Sequence, residues 1–126
     1  MLKPAQKQRY ARHLLLPEIG ADGQARLCAA SVRFPGSADV RASDVARVYL
    51  ERAGIDVRPA DAENATLARA VPATREVQAI AGAPDLVEAA AALCGALAAV
   101  EVIKAELGIG RAAGLPAVVL SGEPSP

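Results

Sequence analysis

The chain has no tryptophan, one phenylalanine, two tyrosines, one histidine and two cysteines in 126 residues. Most of the bulky side chains that fill a core are therefore missing. Alanine takes 30 positions, and Leu, Ile and Val together take only another 30. A domain of this length buries roughly two-thirds of its unfolded surface. A core built so largely on alanine is thin, so either stability is modest or a partner surface completes the burial.

The scarce cysteine and histidine exclude more. Cys28 and Cys94 stand alone, and with His13 they cannot close a four-ligand zinc shell. They read as two small buried thiols of a reducing compartment. Cys94 lies in an alanine-rich run where burial would raise its pKa and keep it inert. Excess charge is also missing, with 14 basic residues against 14 acidic ones. That argues against a nucleic-acid or membrane-surface binder. The longest stretch without a polar side chain is 89–100, 12 residues. A bilayer span takes about 20, so this stretch reads as a buried helix of a soluble protein. Lys3, Lys7 and Arg9 have no apolar run behind them, so the start does not read as a signal peptide. The cytoplasm is the expected location.

What is present alternates between strand and helix signals. Residues 4–16 read as a helix with Pro4 in its first turn and Pro17 closing it. Gly20 and Gly23 make a turn before a short helix at 24–29, and 31–34 is a strand ended by Pro35-Gly36. Ser43 is a candidate N-cap for a helix to Arg52, which could begin a turn earlier. Ala42, Val45, Tyr49 and Ala53 share one face of it, and Gly54 stops it. A strand is expected at 55–58, a weak helix at 61–70 capped by Asp61, and a third strand at 75–80 with Val77 facing the core. A long helix follows over 84–107, with Gly108 beyond its end. Leu86, Leu93, Leu97, Val100 and Leu107 form one stripe on it, and Val87, Cys94 and Val102 with several Ala form another. A helix apolar all round is buried on more than one side, and Gly95 with Ala99 would let a second helix come close. A last strand is expected at 117–120, and 121–126 reads as a loose tail. The order predicts one α/β domain over 1–120, with three or four mostly parallel strands under helical cover.

One segment is more particular. Arg9-Tyr10-Ala11-Arg12-His13-Leu14-Leu15-Leu16-Pro17-Glu18-Ile19-Gly20, followed by Gly23-Gln24 and Leu27, resembles the opening of the ThiF/MoeB/HesA family, bacterial relatives of ubiquitin-activating enzymes. Tyr49-Leu50 and Ala53-Gly54 stand where that family has "YL…AG" after its phosphate loop. Ala99-Val100-Glu101-Val102-Ile103-Lys104 with Leu107-Gly108-Ile109-Gly110 is similar to the family's late helix and the "LGIG" behind it. Val118 to Ser121 resembles the strand after that. The resemblance covers roughly 8–55 and 83–121. It implies a reduced, three-layer Rossmann-like fold. It also implies ancestry in adenylation, the activation of the Gly-Gly end of a small sulfur-carrier protein with ATP and Mg²⁺.

That chemistry needs a glycine-rich turn whose N–H groups reach phosphates at a helix N-terminus. Where the family has Gly-x-Gly-Gly-x-Gly, this chain reads Gly36-Ser37-Ala38-Asp39-Val40-Arg41. Asp39 puts a negative charge where a phosphate would sit; two like charges ~4 Å apart repel by about 1 kcal/mol in water and about 4 at an effective dielectric of 20. Asp61 matches the family's ribose-binding acid only one residue out of register, and the metal Asp, the zinc cysteines and the acceptor Cys have no counterpart. The middle of the catalytic domain is replaced by 61–82. Arg12 sits where the family has an Arg that reaches the partner's ATP phosphates, with Arg9 beside it; a solvated face, or pairing of these two with Glu18 and Asp22, is the plainer alternative. His13, common in that opening, has no partner that would make it an acid or base.

Three readings follow. The favoured one is a non-catalytic relative acting by association, as a homodimer or with a full-length family member, through Tyr10, Leu14, Leu93, Leu97 and Val100. It has no catalytic or metal residues, and no cofactor is expected. The alternative is a minimal adenylyltransferase that binds ATP and Mg²⁺ through Gly36 and Arg12 and serves a small sulfur-carrier protein. The third is a decayed remnant with no selected activity.

Overall fold

The computed structural model describes residues 2–10 and 19–109. The expected strand at 117–120 and tail at 121–126 lie outside them, as do Leu14 and Arg12.

Helix α1, Pro4–Arg9, starts with Pro4 at its first position, and the Lys3 N–H donates to Gln6 Oε1 at 2.9 Å. Helix α2, Gly20–Ala29, begins a turn earlier than its glycines suggest. Strand β1, Ser31–Arg33, leads through a loop to α3, Val40–Ala53, and then β2, Asp56–Arg58. Strands β1 and β2 are parallel, with Val32 opposite Val57, so β1–α3–β2 is a parallel crossover unit. A short strand β3, Thr66–Leu67, pairs in parallel with the other side of β1, giving the order β2-β1-β3. Helix α4, Thr74–Ala81, a single 3-10 turn at Pro84–Leu86 and the long α5, Val87–Leu107, complete the described chain.

Two expected elements are different. The 61–70 segment is a turn and the strand β3, not a helix. An isolated helix of that length is marginal without an apolar face to pack, and the free edge of β1 offers bonds instead. Ala68 N–H donates to the Arg33 carbonyl at 2.8 Å, and the Arg33 guanidinium donates to the carbonyls of Ala60 and Ala65 at 3.1 and 3.3 Å. Residues 75–80, expected as a strand, are the body of α4. Val77 and Ala81, one turn apart, are buried, and Gly82 ends the helix in the left-handed region at φ 74°. Val77 does face the core, as expected.

The core sits where α3 meets α5. Helix α3 buries Ala42, Ala46, Leu50 and Ala53. Tyr49, expected on that inner face, points out and is 49% exposed. Helix α5 buries Ala90, Ala91, Cys94, Gly95, Ala98, Ala99 and Val102, and Leu107 at its end. The small side chains thus form its inner face, while Leu86, Leu93 and Leu97 are half-buried and Val100 is 49% exposed. The reason is close approach. A Cβ on Gly95 would run into the Ala42 carbonyl oxygen and lie 2.8 Å from Val45 Cβ and 3.1 Å from Ala46 N. The expected contact at Gly95 and Ala99 is therefore with α3.

Among the described residues one helical stretch, Pro84–Leu107, is long and apolar enough by length and composition to cross a membrane, with 39% of its most apolar window buried inside the protein. Counting only the uncharged run 89–100 missed this. In this fold the stretch packs against α2, α3 and α4.

Helix α2 is tied to the end of α3 by Gln24, which is fully buried and donates from Nε2 to the Ala53 carbonyl at 2.8 Å and to Cys28 Sγ at 3.5 Å. Gly54 ends α3 at φ 101°, where a side chain would be strained, and its Cα is so enclosed that a Cβ would lie 2.9 Å from Cys28 Sγ and 3.0 Å from the Tyr10 hydroxyl. Cys28 is half-buried rather than buried.

Candidate functional site

The loop between β1 and α3 carries the residues that could have held a phosphate. After the buried Phe34 the chain turns at Pro35, with the Ala38 N–H donating to the Pro35 carbonyl at 3.0 Å. Gly36 lies on the outside of this turn, and a Cβ there would meet nothing within 4 Å. Its φ is not positive either, so nothing in its geometry requires glycine. Expected as a residual nucleotide contact, Gly36 is a surface turn residue.

Asp39 dominates the site. It caps α3, with Oδ1 accepting the Ala42 N–H at 2.9 Å and its backbone carbonyl accepting the Ser43 N–H at 2.9 Å. Oδ2 accepts the Thr74 hydroxyl at 2.9 Å and lies 3.6 Å from Arg41 Nη2. The Asp39 N–H in turn donates to the Pro72 carbonyl at 2.7 Å, next to a one-residue bridge between Ala38 and Ala73. The residue is 2% exposed. Burial pushes its pKa up, but the bonds from Ala42 and Thr74 and the Arg41 charge pull it further down, so the carboxyl sits below the usual range. The positive end of a 14-residue helix is thus occupied by the chain's own carboxylate. An Asp just before a helix is itself a cap signal, and it outranks Ser43, expected as the cap, which lies inside the helix.

The remaining candidates do not gather around this loop. Arg12 and His13 lie outside the described residues. Arg9 donates weakly to the Glu51 carbonyl at 3.5 Å and stands 5.3 Å over the Tyr10 ring, with no pairing to Asp22. Asp61 is exposed in a turn beyond β2. Cys94 is free and buried; burial pushes its thiol pKa up, and the charges of Asp39 and Glu76 push it the same way. Among the described residues no group of three His, Cys, Asp or Glu is placed to hold a metal.

Of the five residues expected at an interface, Tyr10 is buried within the chain, 5% exposed, so its side chain belongs to the fold rather than to a free surface. Leu93 and Leu97 are half-buried, Val100 is exposed, and Leu14 is outside the described residues. Composition could not foresee where apolar surface would stay open. A groove of about 390 Å³ runs between α2, α3 and α5, lined by Ile19, Leu27, Tyr49, Arg52, Val100 and Ile103 among others.

Neither a family model nor a curated protein nor a solved structure matches this chain.

Proposed function

We propose that this protein is a non-catalytic relative of the ThiF/MoeB-type adenylyltransferases that works through association in the cytoplasm, with a second copy or with an intact family member, and without ATP. The opening segment from Arg9 to Gly20 and the late helix motifs carry the resemblance. The parallel β1–α3–β2 unit is compatible with a reduced Rossmann-like fold. The observation that carries the non-catalytic reading is Asp39. An incoming phosphate would have to displace a buried carboxylate from three donors and would still meet its charge. The association reading rests on the open apolar surface at Tyr49, Val48 and Val100 in a chain whose core leans heavily on alanine.

Mass in solution, followed by sedimentation over a concentration series, tests the association. The expected result is a dimer at about 100 µM, or a monomer that binds an intact ThiF/MoeB-type protein at about 10 µM or tighter. A chain that stays monomeric and binds no such protein would contradict it.

A further inference from the structure

We propose that α3 is the seat of a two-fold dimer in which Asp44 of each copy pairs with Arg52 of the other across Val48. This inference rests on the association reading and names its surface and its partner, a second copy of this chain.

Asp44, Val48 and Arg52 are spaced four and four apart, so they form a single ridge along α3. All three are exposed, Val48 at 45%. Among the described residues the side chains of Asp44 and Arg52 have no hydrogen bond or ion pair, whereas Arg47, Arg41 and Arg58 each have an acidic neighbour. Among the described residues the ridge therefore has an unpaired negative end, an apolar middle and an unpaired positive end.

Such a ridge complements itself when reversed. A two-fold interface brings residue i of one copy to residue j of the other, and j to i. With Val48 on the axis, Asp44 faces Arg52 of the second copy at one end and Arg52 faces Asp44 at the other. The two ends lie about 12 Å apart along the helix, and at each end the long Arg52 side chain can reach the short Asp44 of the other copy even if the helices cross at an angle. The same two-fold brings each flank of the helix to its own copy, Val45 and Tyr49 on one side and the Arg47–Glu51 ion pairs on the other, where each Arg47 lies beside Glu51 of either copy. Tyr49 borders this ridge and also lines the groove with Val100, so the two copies would cover the open apolar surface as well.

Charge reversal in the full chain tests this. Asp44→Arg leaves two positive ends and Arg52→Asp two negative ones, and either change alone should weaken dimerisation about tenfold or more. Mixing the two single variants sets Arg against Asp at both ends, so a one-to-one heterodimer should form with an affinity within about threefold of the wild-type dimer. That recovery separates an effect at the interface from damage to the fold, because mixing cannot repair a misfolded chain. A wild-type dimer that persists in both single variants, or single variants that do not recover on mixing, would overturn the interface and leave association standing. A wild-type chain that is monomeric at about 100 µM would overturn the interface together with self-association, and association would then stand only if an intact family member binds.

Discussion

Gly95→Ala should destabilise the protein by about 2 kcal/mol or more, although alanine is the better helix former by up to about 1 kcal/mol. The reason is local. The added methyl would collide with the Ala42 carbonyl oxygen and press on Val45 Cβ and Ala46 N, which are backbone or stiff side chain and cannot step aside. Helices α3 and α5 would have to part, opening the alanine-lined contact on both sides of the collision. Against a total stability of about 5–15 kcal/mol, that loss is large. Thermal unfolding should show a midpoint lowered by roughly 10 °C, taking about 5 °C per kcal/mol for a chain of this size. Ala92 lies on the same helix and is exposed, so Ala92→Ser should leave the midpoint nearly unchanged. Equal effects at the two positions would mean that α3 and α5 are not packed so closely.

Asp39→Ala is the second large effect expected. It removes the cap of α3, usually worth about 1 kcal/mol, and leaves the Thr74 hydroxyl without its acceptor. A combined loss of about 2–3 kcal/mol follows, since hydrogen bonds to a charged group contribute about 1.5–3. Asp39→Asn keeps a capping oxygen and should cost less. The two variants also differ from the wild type in acid. The folded-state pKa of Asp39 lies below that of an unfolded aspartate, about 3.9. Its contribution is therefore complete above that value and disappears as the pH falls through the folded-state value. Urea unfolding between about pH 7 and pH 2 should show a steeper acid loss in the wild type than in Asp39→Asn. Parallel curves would mean that the carboxylate is not held in the bonds described.

Much of this fold was legible where backbone signals were strong. The strand 31–34 is β1 shortened by one residue, Gly54 and Gly108 end their helices in the left-handed conformation, and the long helix runs over the span expected. The failures came where a short segment could serve two periods. Around Val77 a mixture of polar and apolar residues fits alternation as well as a helical turn, and only packing of Val77 and Ala81 decides for the helix. Residues 61–70 have helix-forming alanines, but a neighbouring strand edge outweighs that preference. Helix α5 reads as apolar all round, with Gly95 and Ala99 as its point of close approach; which element would come close there was not legible, and it is α3, so that glycine and alanine lie inward and Val100 is exposed. At the candidate site, the negative charge of Asp39 was plain in the sequence, but its partner Thr74 is 35 residues away, and no local pattern announces that pairing.

The N-terminus of α3 is closed by the chain's own carboxylate, that of Asp39. Calorimetric titration of the purified wild-type protein with Mg·ATP tests it most directly. No measurable binding is expected. A Kd at or below roughly 100 µM, about −5.5 kcal/mol, would contradict it and restore the adenylyltransferase alternative.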